Sequence, residues 1–147
     1  MAERINVLKT YKIFIGGKFP RSESGRFYQL NNRSKAIANV CLSSRKDLRN
    51  AVVAARGAFE KWSGSTAYNR SQILYRMAEM MEGRKDQFIS ELVLQGVDRK
   101  KATVEVDLSI DRVIYFAGWA DKINQVFGSV NPVATSHFNF SLMEPMG

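Results

Sequence analysis

The sequence has 147 residues, of which 45% are hydrophobic and 24% charged. That is the length of one ordinary domain, and the balance excludes wholesale disorder. One Cys and one His exclude an internal disulfide and a Cys/His zinc site. Lys and Arg number 22 against 14 Asp and Glu, a net charge of +8. The basic residues are spread from Arg4 to Lys122, and the tightest cluster is only Arg99-Lys100-Lys101. No nucleic-acid motif accompanies them, so the reading is a solvated basic surface, with a nucleic-acid partner as the lesser alternative. No run approaches the roughly 18 apolar residues of a membrane span. Met1 to Lys12 has no apolar export core. A cytoplasmic protein that meets no membrane is therefore expected.

Residues 1–10 show no period and read as a loose leader. Tyr11-Lys12-Ile13-Phe14-Ile15 is a strand candidate. Gly16-Gly17 follows and predicts a tight hairpin turn with Lys18-Phe19, because both positions tolerate positive φ. After a polar loop over Arg21–Arg26, extended stretches are expected at Phe27–Leu30 and Ala36–Leu42.

Three main helical segments come next. Ser44 and Asp47 form a capping pair. Leu48, Val52, Ala55, Phe59 and Trp62 then share one face, read as core, and Gly64 is the stop. The second helix begins near Thr66, with Ile73, Met77 and Met80 or Met81 as its stripe. Gly83 marks a break or weak point, and the pattern continues through Phe88, Ile89, Leu92 and Val93 to Gly96. The third runs from about Lys100 to Ile123, with Ala102, Val106, Ile110, Val113, Ala117 and Ala120 on one face. After Gly128 the helical period ends. His137, Asn139 and Ser141 alternate with Phe138, Phe140 and Leu142, which predicts a strand with one uncovered apolar face.

The chemistry-bearing residues form no site. Cys41 sits in a strand-like run with no adjacent base, so it reads as a buried structural thiol. His137 has no second His nearby and reads as a surface or interface residue. Glu105, Asp107 and Asp111 read as solvated residues that pair along their helix with Arg112 and its neighbours. Neither glycine-rich phosphate motif, G-x-G-x-x-G nor G-x-x-x-x-G-K-[ST], occurs. No catalytic, cofactor-binding or metal-binding residue is assigned.

The order of features resembles the aldehyde dehydrogenase superfamily. Lys12-Ile-Phe-Ile-Gly-Gly-Lys-Phe19 is similar to its opening hairpin. Val52-Val-Ala-Ala-Arg-Gly-Ala-Phe-Glu-Lys-Trp62 and Arg70-Ser-Gln-Ile-Leu-Tyr-Arg-Met-Ala-Glu-Met-Met-Glu82 are similar to its first two helices. Tyr115-Phe-Ala-Gly-Trp-Ala-Asp-Lys122 is similar to the end of the third, and Glu144-Pro-Met-Gly147 to the E-P-x-G that closes its N-terminal region. The resemblance covers about residues 11 to 147. The wording around Gly128–Pro132 is similar to a divergent branch, some of whose members lack catalytic residues.

The resemblance implies an α/β, Rossmann-type fold and oxidation of an aldehyde to an acid with NAD or NADP. It implies that residues 11–125 belong to the coenzyme-binding domain. It further implies that residues 126–147 begin an oligomerisation β arm, through which Phe138, Phe140 and Leu142 meet a second copy or a complementary chain. The family's Cys nucleophile, Glu base and oxyanion Asn lie after the E-P-x-G. Cys41 does not match the nucleophile, and Asn139 precedes that point despite its W-N-F-P-L-like surroundings. The expectation is an N-terminal portion without activity or cofactor of its own.

Overall fold

The computed structural model describes residues 7–146. Most of the leader, residues 1–6, lies outside the described residues. Strands β1 (Thr10–Tyr11), β2 (Phe27–Asn32) and β3 (Lys35–Cys41) precede helices α1 (Arg45–Ser63), α2 (Ala67–Glu82), α3 (Lys85–Leu94), α4 (Arg99–Trp119) and α5 (Ile123–Phe127). Two compact units result. One comprises residues up to Ala58 together with Gln87–Ala102, and the other Phe59–Asp86 together with residues from Thr103 onward.

The first unit holds a three-stranded sheet of order β1-β3-β2. β2 and β3 are antiparallel, with Phe27 opposite Cys41 and Tyr28 opposite Val40. β1 runs parallel to β3, with Thr10 opposite Asn39. The expected strand over Tyr11–Ile15 shrinks to Thr10–Tyr11, because the chain beyond Tyr11 turns back on itself. The glycine turn forms as its sequence dictates. Ile15 and Lys18 exchange both backbone hydrogen bonds at 3.0 and 3.1 Å, and Gly16 and Gly17 have φ of 59° and 77°. A Cβ on Gly16 would sit 3.7 Å from the Ala54 Cβ, so the turn lies directly on α1.

The start of α1 is the most densely bonded point in this unit. Ser44 N–H donates to Asp47 Oδ2 at 2.8 Å, and Asp47 N–H donates to Ser44 Oγ at 3.3 Å. This is the reciprocal capping box. Asp47 also accepts from Ser22 Oγ at 2.7 Å and from Glu23 N–H at 3.2 Å. The Ser22 hydroxyl and the backbone N–H groups of Ser44 and Glu23 pull its carboxyl from 3.8 down to about 2.

Most of the apolar stripe expected on α1 does not face inward; of Leu48, Val52, Ala55, Phe59 and Trp62, Phe59 alone is half-buried. Leu48 is 65% exposed and Val52 48%. The inner face is one step around the helix, at Asp47, Ala51 and Ala54. The reason is the close approach of the glycine turn, which admits only a short side chain at Ala54.

In the second unit, Ser71 of α2 donates its hydroxyl to the Ala117 carbonyl of α4 at 2.8 Å. Lys85 at the start of α3 pairs with Asp107 of α4 at 2.5 Å. These two ties make α2 antiparallel to α4. On α2 the expected stripe of Ile73, Met77 and Met80 or Met81 is exposed at Ile73, Met77 and Met80 and half-buried at Met81. Ser71 and Ala78 are buried instead. The third helix keeps its expected inner face, with Ala102, Val106, Ile110 and Ala117 buried.

Five helices replace the three main segments. The second segment divides at Gly83, where Gly83 N–H and Arg84 N–H close the last turn of α2 onto Glu79 and Met81. Gly96, with φ of 99°, then ends α3 through bonds from Gly96 N–H to Val93 and from Val97 N–H to Leu92. The third segment stops at Trp119, and a separate five-residue α5 follows a turn.

The Asp47 ties are present above about pH 3.8 and lost as pH falls from there through about 2, because the folded-state carboxyl has the lower pKa. Asp47→Asn is therefore expected to melt at a lower temperature than the parent at neutral pH. The difference should shrink as acid protonates Asp47. Thermal unfolding followed by circular dichroism across that range checks this.

Candidate functional site

Cys41 lies on β3 opposite Phe27 and is buried, as its sequence setting predicts. His137 is exposed, and its Nδ1 is 2.7 Å from the Thr135 hydroxyl. Asp107 pairs with Lys85 rather than with Arg112. Its carboxylate, opposed by desolvation, raises the Lys85 pKa. Among the described residues no group of three His, Cys, Asp or Glu could hold a metal ion. The positive-φ glycines occupy the hairpin turn, the Ser22–Gly25 turn and the end of α3. None of them opens a helix, so these residues do not fit a dinucleotide phosphate.

The segment after α5 is a hairpin rather than the expected continuous strand. A single bridge joins Val130 to Phe140. Asn131 N–H donates to the Asn139 carbonyl at 2.8 Å, and Ser141 N–H donates to the Ser129 carbonyl at 2.9 Å. On the polar face, the Asn131 amide donates to Asn139 Oδ1 at 3.0 Å and to Ser141 Oγ at 3.2 Å. Asn139 thus accepts through both its side-chain and its backbone oxygen within its own hairpin. The other face carries Phe138, 74% exposed, with its ring centroid 5.4 Å from that of Phe140. Leu142 is also exposed. Alternation in the sequence predicts both faces; the bend at Ala134–Ser136 is what shortens the pairing.

A second exposed apolar surface was missed by reading only one stripe per helix. Val104, Leu108 and Tyr115 lie within about 40° of one another around α4, at 100° per residue. All three are exposed, Tyr115 at 59%. They lie opposite the buried stripe of the same helix. Spacings of 4 and 7 were legible in the sequence, and they mark a helix meant to be covered on both sides.

The hairpin depends on the backbone at Gly128. Gly128 N–H donates to the Asn124 carbonyl at 2.9 Å, and a Cβ at this position would overlap that same carbonyl oxygen. Gly128→Ala is expected to destabilise the junction of α5 and the hairpin by about 1–3 kcal/mol, the usual cost of forced overpacking. Amide exchange at Asn131 and Ser141 should accelerate while exchange in the β-sheet stays unchanged.

The aldehyde dehydrogenase family profile matches residues 20–147. The chain is 34% identical over 147 aligned residues to the cytosolic 10-formyltetrahydrofolate dehydrogenase of Pongo abelii, covering 93% of this chain and 16% of that protein. It superposes on a salicylaldehyde dehydrogenase from Pseudomonas putida G7 with a TM-score of 0.87 at 22% identity, covering 96% of this chain and 29% of the other. It also superposes on PnpE, solved with nicotinamide adenine dinucleotide, with a TM-score of 0.83 at 26% identity, covering 88% and 27%. This chain therefore spans less than a third of each of these proteins. With its α/β fold matching and the family profile covering all but its first strand and turn, the chain belongs to the aldehyde dehydrogenase family.

Proposed function

We propose that this chain is the N-terminal portion of an NAD(P)-dependent, cytoplasmic oxidoreductase that converts an aldehyde to a carboxylic acid. In this reading it supports the coenzyme-binding domain and supplies an association arm, while the reacting groups come from elsewhere in the complete protein. The family match over residues 20–147 carries the proposal. Nicotinamide adenine dinucleotide bound to PnpE supports the coenzyme class. The coenzyme would accept hydride in such a reaction. The residues of this chain offer it no phosphate cradle, so no step of the reaction is assigned to them.

Incubation of the chain with NAD or NADP and a panel of aldehydes, followed by nicotinamide absorbance, is expected to show no turnover. Turnover that disappears in Cys41→Ala would make Cys41 the nucleophile and overturn the assignment.

The exposed apolar faces favour a second reading, a non-catalytic association module within the same family. Phe138, Phe140 and Leu142 would then meet a second copy or a complementary chain. Light scattering after size exclusion should show concentration-dependent association. Replacement of these three residues by Ser should reduce it. A monomer at every concentration argues against the arm.

A further inference from the structure

One concave feature of the first unit is unrelated to the hairpin and to the α4 surface. The approach to β1, the β2–β3 turn and the α3–α4 turn enclose a groove of about 820 Å³. Its size lies in the range of small-molecule sites. Two of its walls are tied together. The Asn32 amide donates to the Leu94 carbonyl at 3.0 Å, and Asn32 Oδ1 lies 3.1 Å from where a Cβ on Gly96 would stand. A side chain at position 96 would strain a backbone at φ +99° and push Asn32 away. Glycine there keeps the two turns in contact.

The lining is amphipathic. Leu8, Ile37, Val93 and Val97 contribute apolar surface, and Lys9, Arg33 and Lys35 contribute three cations. Arg33 is held at φ 54°, the one non-glycine residue in the left-handed region among the described residues. The single carboxylate in the lining is Asp98. Its Oδ1 is engaged by the N–H groups of Lys100 and Lys101 at 3.0 and 3.3 Å, as the cap of α4. Lys9 lies over the Tyr11 ring, 4.3 Å from its centroid, which leaves its charge unneutralised. Three cations outnumber the one carboxylate of the lining, and Asp98 is turned toward the first amides of α4, so an apolar groove of net positive charge selects for negative charge joined to an apolar body.

We propose that this groove binds a single-chain amphiphilic carboxylate, with its head among Lys9, Arg33 and Lys35 and its chain along Ile37 and Val97. The site is independent of the proposed dehydrogenase chemistry. A free acid and an anionic lipid surface share this chemistry, and the experiment separates them.

The full chain is titrated with decanoate below its micelle concentration, with decanol, and with vesicles containing phosphatidylglycerol. Calorimetry measures affinity, and amide NMR locates binding. Decanoate should bind saturably, weaken as salt is raised, and shift the amides of Asn32–Ile37 and Gly96–Val97. Decanol should bind about tenfold more weakly, given the loss of its charge in a groove of this sign. Arg33→Glu with Lys35→Glu should weaken decanoate by a similar factor, while Arg33→Lys with Lys35→Arg retains it. Unchanged circular dichroism keeps both double variants interpretable. Equal affinity for decanol, shifts confined to the outer face of α4, or binding to vesicles alone would overturn the proposal.

Discussion

The first unit depends on one carboxylate. Asp47 is only 5% exposed, and a buried carboxylate is tolerated only when donors replace its water. Ser22 Oγ, Ser44 N–H and Glu23 N–H supply them. These donors come from the loop before β2 and from the cap of α1. The Leu42 carbonyl lies beside the same cluster, 3.0 Å from Ser22 Oγ. The loop, the exit of β3 and the entry of α1 are thus fixed by one group. Once α1 is aimed, the glycine turn can settle on Ala54.

Much of this was legible in the sequence because it is local. Ser44 and Asp47 are three residues apart, and Gly16-Gly17 are adjacent; short-range geometry decided both. Gly83 and Gly96 marked helix ends for the same reason. The partners of Asp47 from the loop were not legible. Ser22 is 25 residues away, and nothing in its neighbourhood distinguishes it from Ser24. The parallel pairing of β1 with β3 was hidden likewise, since only the fold brings Thr10 beside Asn39.

Which stripe of a helix points inward was the least legible feature, and the errors share a cause. Reading each helix for its largest apolar residues selected Leu48 and Val52 on α1 and Ile73 and Met77 on α2. The inward residues are Asp47, Ala51 and Ala54 on α1, and on α2 Ser71 and Ala78 with half-buried Leu74 and Met81 beside them. On α4 the stripe chosen from the sequence happened to be rich in alanine, and there the reading matches the structure. The most deeply buried positions of α1 and α2 carry Asp47, Ser71 and Ala78, none of them a large apolar residue. Small side chains allow a neighbouring backbone to approach, as the Ser71 hydroxyl does to the Ala117 carbonyl.

The same division links packing to the proposed function. A helix whose large side chains point away from its own neighbours gains little from folding alone, since burial of those side chains would contribute about 1.5–3 kcal/mol each. Leu48, Ile73, Leu108 and Tyr115 all leave that contribution unrealised within the described chain. The solved relatives that match almost the whole of this chain are more than three times its length. A segment that belongs to a larger fold would be expected to present such faces. The second, outward stripe of α4 is the clearest instance, because Val104, Leu108 and Tyr115 repeat at helical spacing on the side opposite a complete buried stripe. Family membership and side-chain packing therefore support the proposed scaffold reading by separate routes, the first through the matched residues and the second through the large side chains that this chain leaves exposed.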